Sequence, residues 1–467
     1  MLLRRPLFLV LAGGLILSGC AELPTVPDPG IAVPSAWRST SPAGEAVTPD
    51  WWRCFGSAEL DGVVRRALAG STDLAAAVAR VHQASAQARI AGAGLWPTVD
   101  LNASAGRQTG GAGSVTDGNG NSFAAGLSAS YGIDFWGRNR ALRDAAQASL
   151  RASGYDRDTV RLTVVGGAAS LWLQTVALRE RAAIAARSLE LARQTLALVQ
   201  AQARAGAASP LDVAQQRGLV ASQQRGAEAL GQAARDSETT LAVWLGLPVG
   251  QLGIAADTLG AVALPHVDAG VPSALLTRRP DIARAEAQLA AADANIAAAR
   301  AAMLPGLTLS ASAGYASDTA HTLFSTPLYS IAAGLAAPIF DAGRLRGARD
   351  LALAQREELL AGYHGAIVSA FADVDKALNA AAGLDAQGQA QDEALAQARR
   401  AYVLAQSRYR AGAETMLTVL TAQQTLFAAQ DLAVQLKQAR LQAAVALYQA
   451  LGGGWQEPAS ELPAGNS

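Results

Sequence analysis

The chain carries LWPTVDLNASAG at residues 95–106 and repeats the pattern as MLPGLTLSASAG at residues 303–314. In both stretches a proline precedes an alternation of apolar with small or polar residues. Further pairs keep nearly the same spacing: Arg-Ala-Gly-Ala at 204–207 and 410–413, and Gly-Arg at 137–138 and 343–344. Three matches in one order predict a tandem duplication of roughly 200 residues.

Each copy predicts two β-strands. The quoted stretches alternate with period two, and so do the segments 123–131 and 329–339. One face is apolar and the other is small or polar, which suits a barrel strand with lipid outside and water inside. A soluble, half-buried hairpin shows the same alternation and remains an alternative. The polar segments 110–121 and 317–326 are predicted to be exposed loops.

Helical patterns surround both pairs of strands. From Leu74, and again from Ile282, every seventh residue is apolar as far as the proline, which predicts helices with a coiled-coil-like seam. Long helices are predicted over about 138–204 and 344–410, each on the order of 100 Å at about 1.5 Å per residue. Glycines within them could interrupt these helices, so their continuity is an inference.

The long helices carry apolar rows on two sides. In the first copy the rows begin at Ile184 and at Leu189, each with a spacing of seven. A helix with two seams needs a neighbour on each side, which favours a stave in a closed cylinder of helices. The second copy keeps one row, Leu395 to Tyr409, and interrupts the other at Gln397.

One chain supplies too few strands for a barrel. Known transmembrane barrels need at least about eight strands. Open sheet edges in lipid leave backbone groups unpaired at several kcal/mol each. If the four strands lie in a membrane, chains must therefore share one barrel, and this arithmetic alone permits two, three or more chains.

The N-terminal residues are typical of a secretion signal. Arg4 and Arg5 precede an apolar run over residues 7–17, and Leu17-Ser18-Gly19-Cys20 follows. This ending resembles the lipobox of bacterial lipoproteins, which implies cleavage before Cys20 and acylation there. Ala21, in place of an aspartate, favours sorting to the outer membrane. An ordinary signal peptide with a chance cysteine is the alternative. No uninterrupted apolar run long enough for a transmembrane helix follows residue 20.

Composition and motifs argue against other classes of protein. Lys plus Arg and Asp plus Glu number 38 each, so the balance implies no nucleic-acid partner. The four histidines are scattered, and no zinc-protease, Cys-x-x-Cys or nucleophile-elbow motif occurs. We therefore expect no enzyme activity, no metal site and no cofactor. Cys54 is expected to be an apolar filler.

Several motifs together carry a family resemblance that covers nearly the whole mature chain. They are Trp51-Trp52-Arg53, Leu95-Trp96-Pro97, Asp134-Phe135-Trp136-Gly137-Arg138, Arg278-Arg279-Pro280-Asp281-Ile282, and Pro338-Ile339-Phe340-Asp341-Ala342-Gly343-Arg344. In this order they resemble the outer-membrane factor (TolC-like) family, in its lipoprotein branch paired with resistance-nodulation-division pumps. The resemblance implies a mainly α protein with a membrane β-barrel: a homotrimer with twelve strands, a tunnel of twelve helical staves, and a mixed belt around the tunnel.

The resemblance also implies where function resides. The periplasmic tips, which contact an adaptor protein, would include Arg204, Gly206, Asp212, Tyr409, Arg410 and Gly412. The channel entrance would include Glu414, Thr418 and Thr421. Some relatives carry aspartate rings at the positions of Thr418 and Thr421, so strong cation selectivity is not expected, and some carry a basic linking residue at the position of Glu414. Turn formation for the glycines, helix capping for Asp212 and packing for Tyr409 are the structural alternatives.

The predicted function is conduction of small toxic compounds or drugs through a gated trimeric tunnel. An inner-membrane pump and a periplasmic membrane-fusion adaptor would be partners, and the site of action would be the outer membrane and periplasm. Alternatives are a channel for metal ions or secreted proteins, and a non-conducting coiled-coil lipoprotein. The predicted regions are a signal peptide (1–19), a lipid-anchored extension (20–50), two repeats (51–260 and 261–455) and a flexible tail (456–467).

Overall fold

A computed structural model describes residues 33–39, 44, 46–108 and 120–457. The signal peptide, Cys20 and the tail beyond residue 457 lie outside the described residues, as does most of the first predicted loop. Along the described chain the elements are a 3-10 helix Trp51–Phe55, α1 Ala58–Gly70, α2 Thr72–Ala93, β1 Thr98–Gln108, β2 Gly120–Ile133, α3 Arg138–Arg204, α4 Pro210–Trp244, α5 Pro280–Ala301, β3 Gly306–Ser317, β4 Pro327–Ala336, α6 Arg344–Arg410 and α7 Met416–Ala450.

The two long helices are continuous. Helices α3 and α6 each run for 67 residues, about 100 Å at about 1.5 Å per residue. Each turns back at its far end into a helix of 35 residues, α4 or α7. We call α3 with α4 the first hairpin and α6 with α7 the second hairpin. Their equal lengths agree with the duplication predicted from the sequence.

Glycines in α3 allow close helix packing and leave the helix intact. A Cβ added at Gly166 would lie 1.9 Å from the side chain of Gln449 in α7, and one at Gly167 would lie 2.2 Å from the ring of Trp244 in α4. The missing side chains therefore let both returning helices approach α3. Gly383 in α6 has open space around it.

The strands form one antiparallel sheet in the order β1-β2-β3-β4. Its register aligns the predicted apolar positions across all four strands: Leu101 lies opposite Leu127, Leu127 opposite Ala313, and Ala313 opposite Tyr329. The polar positions align in the same way, with Ser128 opposite Ser312. The alternation therefore produces one apolar face and one polar face, as predicted. Strand β4 ends at Ala336, earlier than the pattern suggested, because Pro338 cannot donate to a strand ladder.

The main core surrounds the middle of the long helices. Trp51 stacks on Tyr448 of α7 with ring centroids 4.8 Å apart, and Trp172 of α3 is fully buried there. The segment 245–279, which links α4 to α5, wraps this core. Its Ala263 N–H donates to the carbonyl of Phe55, and Trp37 donates to the carbonyl of Gly270. These segments form the mixed belt that the family resemblance implies.

Arg279 joins three helices at this belt. Its guanidinium lies 2.7 Å from Asp281 in α5 and 3.2 Å from Asp373 in α6, and it donates to the carbonyl of Ala450 at the end of α7. Burial acts to raise the pKa of Asp281, but hydrogen bonds and charge from Arg279 outweigh it and lower that pKa. The Arg-Pro-Asp motif is therefore a structural junction within the second repeat, where α5, α6 and α7 meet.

Helix α3 contains the described chain's single window that is long and apolar enough to cross a membrane. This differs from the expectation that no such run exists after residue 20. Of that window, 56% is buried within the protein. The most buried part of α3 runs from Val164 to Ala177 in the main core. Burial in the core of the protein therefore accounts for the apolar residues of α3.

The seams before the strands are unequal. In α5, Ile282, Leu289 and Ile296 are all buried, since α5 packs against both α3 and α6. In α2, Leu74 and Val81 are only half-buried, because α2 packs against α3 alone. One side of α2 therefore lacks a neighbour within the protomer. Helix α1 was not predicted at all.

Replacing Gly167 with Ala should lower stability. The new methyl group would overlap the Trp244 ring, and overpacking of this kind costs about 1–3 kcal/mol. The measurement is the midpoint of thermal or denaturant unfolding of the purified protein. Gly383→Ala is the matched control in the other long helix and should raise stability by about 0.5–1 kcal/mol. Equal shifts for both variants would contradict the packing role.

Candidate functional site

The apolar face of the sheet is uncovered. Leu101 is 77% exposed, Tyr329 77% and Ile331 89%. A soluble protein rarely leaves so continuous an apolar surface open to water. The opposite face carries small and hydroxyl side chains, and the Ser312 and Ser330 hydroxyls are 2.8 Å apart across two strands. The sheet thus fits lipid on one side and water on the other.

Both edges of the sheet are open within the described chain. Strand β1 pairs only with β2, and β4 pairs only with β3. An open edge in lipid leaves its N–H and C=O groups without partners. The sheet is therefore a part of a wall that further strands must complete.

Exposed aromatic side chains mark the end of the sheet next to the helices. Trp96 precedes β1, Phe135 follows β2 and Phe340 follows β4, and all three are exposed. Aromatic girdles of this kind occur at the lipid–water boundaries of membrane barrels. Trp136 connects the two repeats at this end of the sheet, because its indole N–H donates to the carbonyl of Pro305 at 2.8 Å.

The far end of each hairpin is a glycine turn. Gly206 and Gly412 have φ of 76° and 73°, a conformation that favours glycine, and both are exposed. In the first hairpin, the Ala207 N–H donates to the carbonyl of Gln202. In the second, the Ala413 N–H donates to the carbonyl of Arg408. The two turns are therefore built alike.

The two helices that leave these turns are capped differently. In α4, Ser209 and Asp212 form a reciprocal capping box, with Pro210 between them as the first helical residue. In α7, the Thr415 side chain accepts from the Thr418 N–H at the N-terminus. The first helix start therefore has a reciprocal capping box, whereas the second has a side-chain cap in one direction only.

Glu414 organises the start of α7. Its carboxylate accepts hydrogen bonds from the Thr415 N–H at 3.2 Å and the Thr418 hydroxyl at 3.0 Å. These bonds, together with the charge of Arg408, lower the pKa of Glu414. Arg408 lies 3.8 Å away. The Thr421 hydroxyl donates along its own helix to the carbonyl of Leu417.

One hydrogen bond joins the two hairpins at the tips. The Tyr409 hydroxyl of α6 donates to the side-chain oxygen of Gln202 in α3 at 2.7 Å. Burial, and then the charge of Asp212, raise the pKa of Tyr409, so the hydroxyl stays protonated and able to donate. A second apolar cluster near this bond contains residues of both hairpins: Val199, Leu219, Ala398, Tyr402, Ala405, Met416, Val419, Leu420 and Leu426.

Comparisons with known proteins decide the family. A profile described as outer membrane efflux protein matches residues 63–247 and 271–453. The chain belongs to the outer membrane efflux protein family. It is an outer-membrane channel subunit of the kind that serves tripartite efflux systems, and its fold class is the predicted one: a shared trimeric barrel joined to a helical tunnel.

Individual relatives cover almost the whole chain. It is 50% identical over 453 residues to the pyoverdine export outer membrane protein OpmQ of Pseudomonas aeruginosa, covering 95% of each chain. It is 33% identical to the toluene efflux pump outer membrane protein TtgI of Pseudomonas putida, covering 94% of this chain and 97% of that one. The solved open state of the Neisseria gonorrhoeae channel MtrE matches with a TM-score of 0.83 and 28% identity, covering 93% and 98%.

The predicted tip residues of this efflux channel fall at the two glycine turns. Arg204 and Arg410 are the last residues of α3 and α6, where a positive charge interacts favourably with the helix dipole. Asp212 takes the capping role that was its structural alternative. The Tyr409 hydroxyl bonds Gln202, and the charge of Asp212 acts on it without a hydrogen bond. Their roles in gating and adaptor contact remain predictions.

Sequence reasoning missed several residues that the structure brings into the site. Gln202 and Arg408 were overlooked because no short motif marks a partner on another helix. Ser209 could have been found, since Ser-Pro-x-Asp ahead of a helix is a capping signature. The described residues contain no group of three or more His, Cys, Asp or Glu side chains that could hold a metal ion.

Replacing Tyr409 with Phe should make the channel easier to open. The change removes the hydroxyl that joins the hairpins and leaves the ring in place. The expected result is a several-fold rise in the open fraction of single channels in planar lipid bilayers, since a hydrogen bond contributes about 0.5–1.5 kcal/mol. Tyr155→Phe is the control, because its hydroxyl bonds Glu457 far from the tips. An unchanged open fraction in the first variant would refute the link.

Proposed function

We propose that three copies of this chain form the outer-membrane duct of a tripartite exporter that releases small organic molecules. A periplasmic adaptor and an inner-membrane resistance-nodulation-division pump are the proposed partners. The observation that carries this is the open-edged sheet with its uncovered apolar face, joined directly to helices of about 100 Å. Three sheets supply twelve strands, which is within the range of known barrels.

The half-buried seam of α2 and the exposed apolar residues of α6 support this assembly. Val403 and Leu404 of α6 are exposed in the protomer, and Leu404 belongs to the row that Gln397 interrupts. A closed cylinder would give such faces a neighbour from the next protomer. Within the proposal, residues 51–260 and 261–455 are the two repeats that build this wall.

The cargo is proposed to be a secreted organic molecule of the pyoverdine class. The relative named for pyoverdine export is 50% identical, whereas the relatives named for toluene and for cation efflux are 33% and 31% identical. Export of toxic solvents is the second candidate, favoured by the 33% relative.

Complementation tests the cargo. A Pseudomonas aeruginosa strain without its own pyoverdine export channels should regain export when it expresses this chain, seen as pyoverdine moving from the periplasm to the medium. Restored toluene tolerance without pyoverdine export would instead favour the second candidate. The matched negative control is a chain in which Ile331 and Leu335, both exposed on the apolar face, are changed to Asp. Failure of both readouts with a correctly assembled trimer would overturn the proposal.

The anchor is proposed to be acylated Cys20, after removal of residues 1–19. Trp37 contacts Phe371, which lies 27 residues along α6 from Arg344, or about 40 Å from the membrane edge at about 1.5 Å per residue. The 17 residues from Cys20 to Trp37 can reach at most about 60 Å. An acyl group on Cys20 is therefore within reach of the bilayer.

Cys20→Ala should abolish incorporation of labelled palmitate while trimers still form, because the described strands and helices of the barrel and tunnel lie between Trp51 and Ala450. Labelling is measured on purified protein after growth with the fatty acid. Cys54→Ala is the control and should keep the label. Label retained in the Cys20 variant would show that the anchor lies elsewhere.

A further inference from the structure

Helix α7 buries one polar residue in the cluster that joins the hairpins. Its buried positions near the tip are Met416, Val419, Leu420, Gln423, Leu426 and Phe427. All are apolar except Gln423, which is 0% exposed. Neither the side-chain nitrogen nor the side-chain oxygen of Gln423 has a hydrogen-bond partner in the described structure.

Two other buried glutamines in the hairpins bond through their side-chain nitrogens. Gln216 of α4 donates to the carbonyl of Ala192 in α3 at 2.8 Å, across the first hairpin, although its side-chain oxygen has no partner in the described structure. Gln391 of α6 donates to the carbonyl of Ala429 in α7 at 2.8 Å, across the second hairpin. Gln423 lies on the same tip half of the tunnel without such a bond. A buried amide that has lost its water and gained no partner destabilises the arrangement that contains it.

Open space lies close to Gln423. A cleft of about 610 Å³ between α3, α6 and α7 is lined by Leu426 and Phe427, one turn along the helix from Gln423, and by Gln391 and Gln430.

We propose that Gln423 is a positioning residue for gating: separation of the hairpin tips brings its unpaired amide to water, so the amide weakens the closed packing and keeps the opening step small. The inference rests on the proposed channel function, in which the tips close the tunnel. Tyr409 with Gln202 and the apolar cluster favour closure, and Gln423 opposes them from inside the same cluster.

Gln423→Met tests the proposal. Methionine has a similar volume and no amide, so it should pack in the cluster without the penalty. The open fraction of single channels in planar bilayers should fall about tenfold, equivalent to about 1.4 kcal/mol, and the thermal midpoint of the trimer should rise. Gln391→Met is the matched control. It removes a hydrogen bond that is made across the second hairpin, so its thermal midpoint should fall.

A second variant, Gln423→Glu, should act in the opposite direction, since a carboxylate resists a dry site more strongly than an amide does. Its open fraction should rise above that of the wild type. The inference is overturned if Gln423→Met leaves both readouts unchanged, or if it destabilises the trimer as Gln391→Met does. A wild-type trimer that passes no current would refute the proposed channel function, and the thermal comparison would still decide the role of Gln423.

Discussion

The pairing requirement of a β-strand in lipid governs the architecture of this protein. Water cannot satisfy the edge groups of β1 and β4 inside a bilayer, so a four-stranded sheet with two open edges cannot exist there alone. Its apolar face, with Leu101 and Ile331 exposed, needs lipid contact at the same time. Both demands are met when copies of the chain share one wall, and the helices that continue from each strand must then form a shared tunnel.

The two repeats share one overall design but differ in detail. Both hairpins have helices of 67 and 35 residues and a glycine turn with positive φ. Their helix starts nevertheless differ, since α4 has a Ser209–Asp212 capping box and α7 relies on Thr415 with Glu414 nearby. Each hairpin also buries an unpaired amide oxygen, that of Gln216 in the first and that of Gln423 in the second, and among the buried glutamines of the described chain only Gln423 lacks a partner for its nitrogen as well. The two hairpins therefore share their lengths and turns but differ in their caps and buried amides.

Small residues set the distances on which the tunnel depends. Gly166 and Gly167 admit Gln449 and Trp244 against α3, at a level where Arg279 also joins α5, α6 and α7. Aromatic rings and a half-buried ion pair hold this belt together. The tips, about 30 residues further along α3, depend instead on a small apolar cluster and the Tyr409–Gln202 bond. Fewer interactions therefore hold the tips than hold the belt.

The sequence by itself determined the repeat, the faces of the four strands, the long helices and the need for a shared barrel. These follow from local periodicity, which depends only on the geometry of one helix or strand. Only the tertiary structure decided that Gly166 and Gly167 serve close packing, that Tyr409 bonds Gln202, and that Gln423 is buried without a partner. Those contacts join residues that lie far apart along the chain, and no pattern within one element records which side chain of another helix will face it.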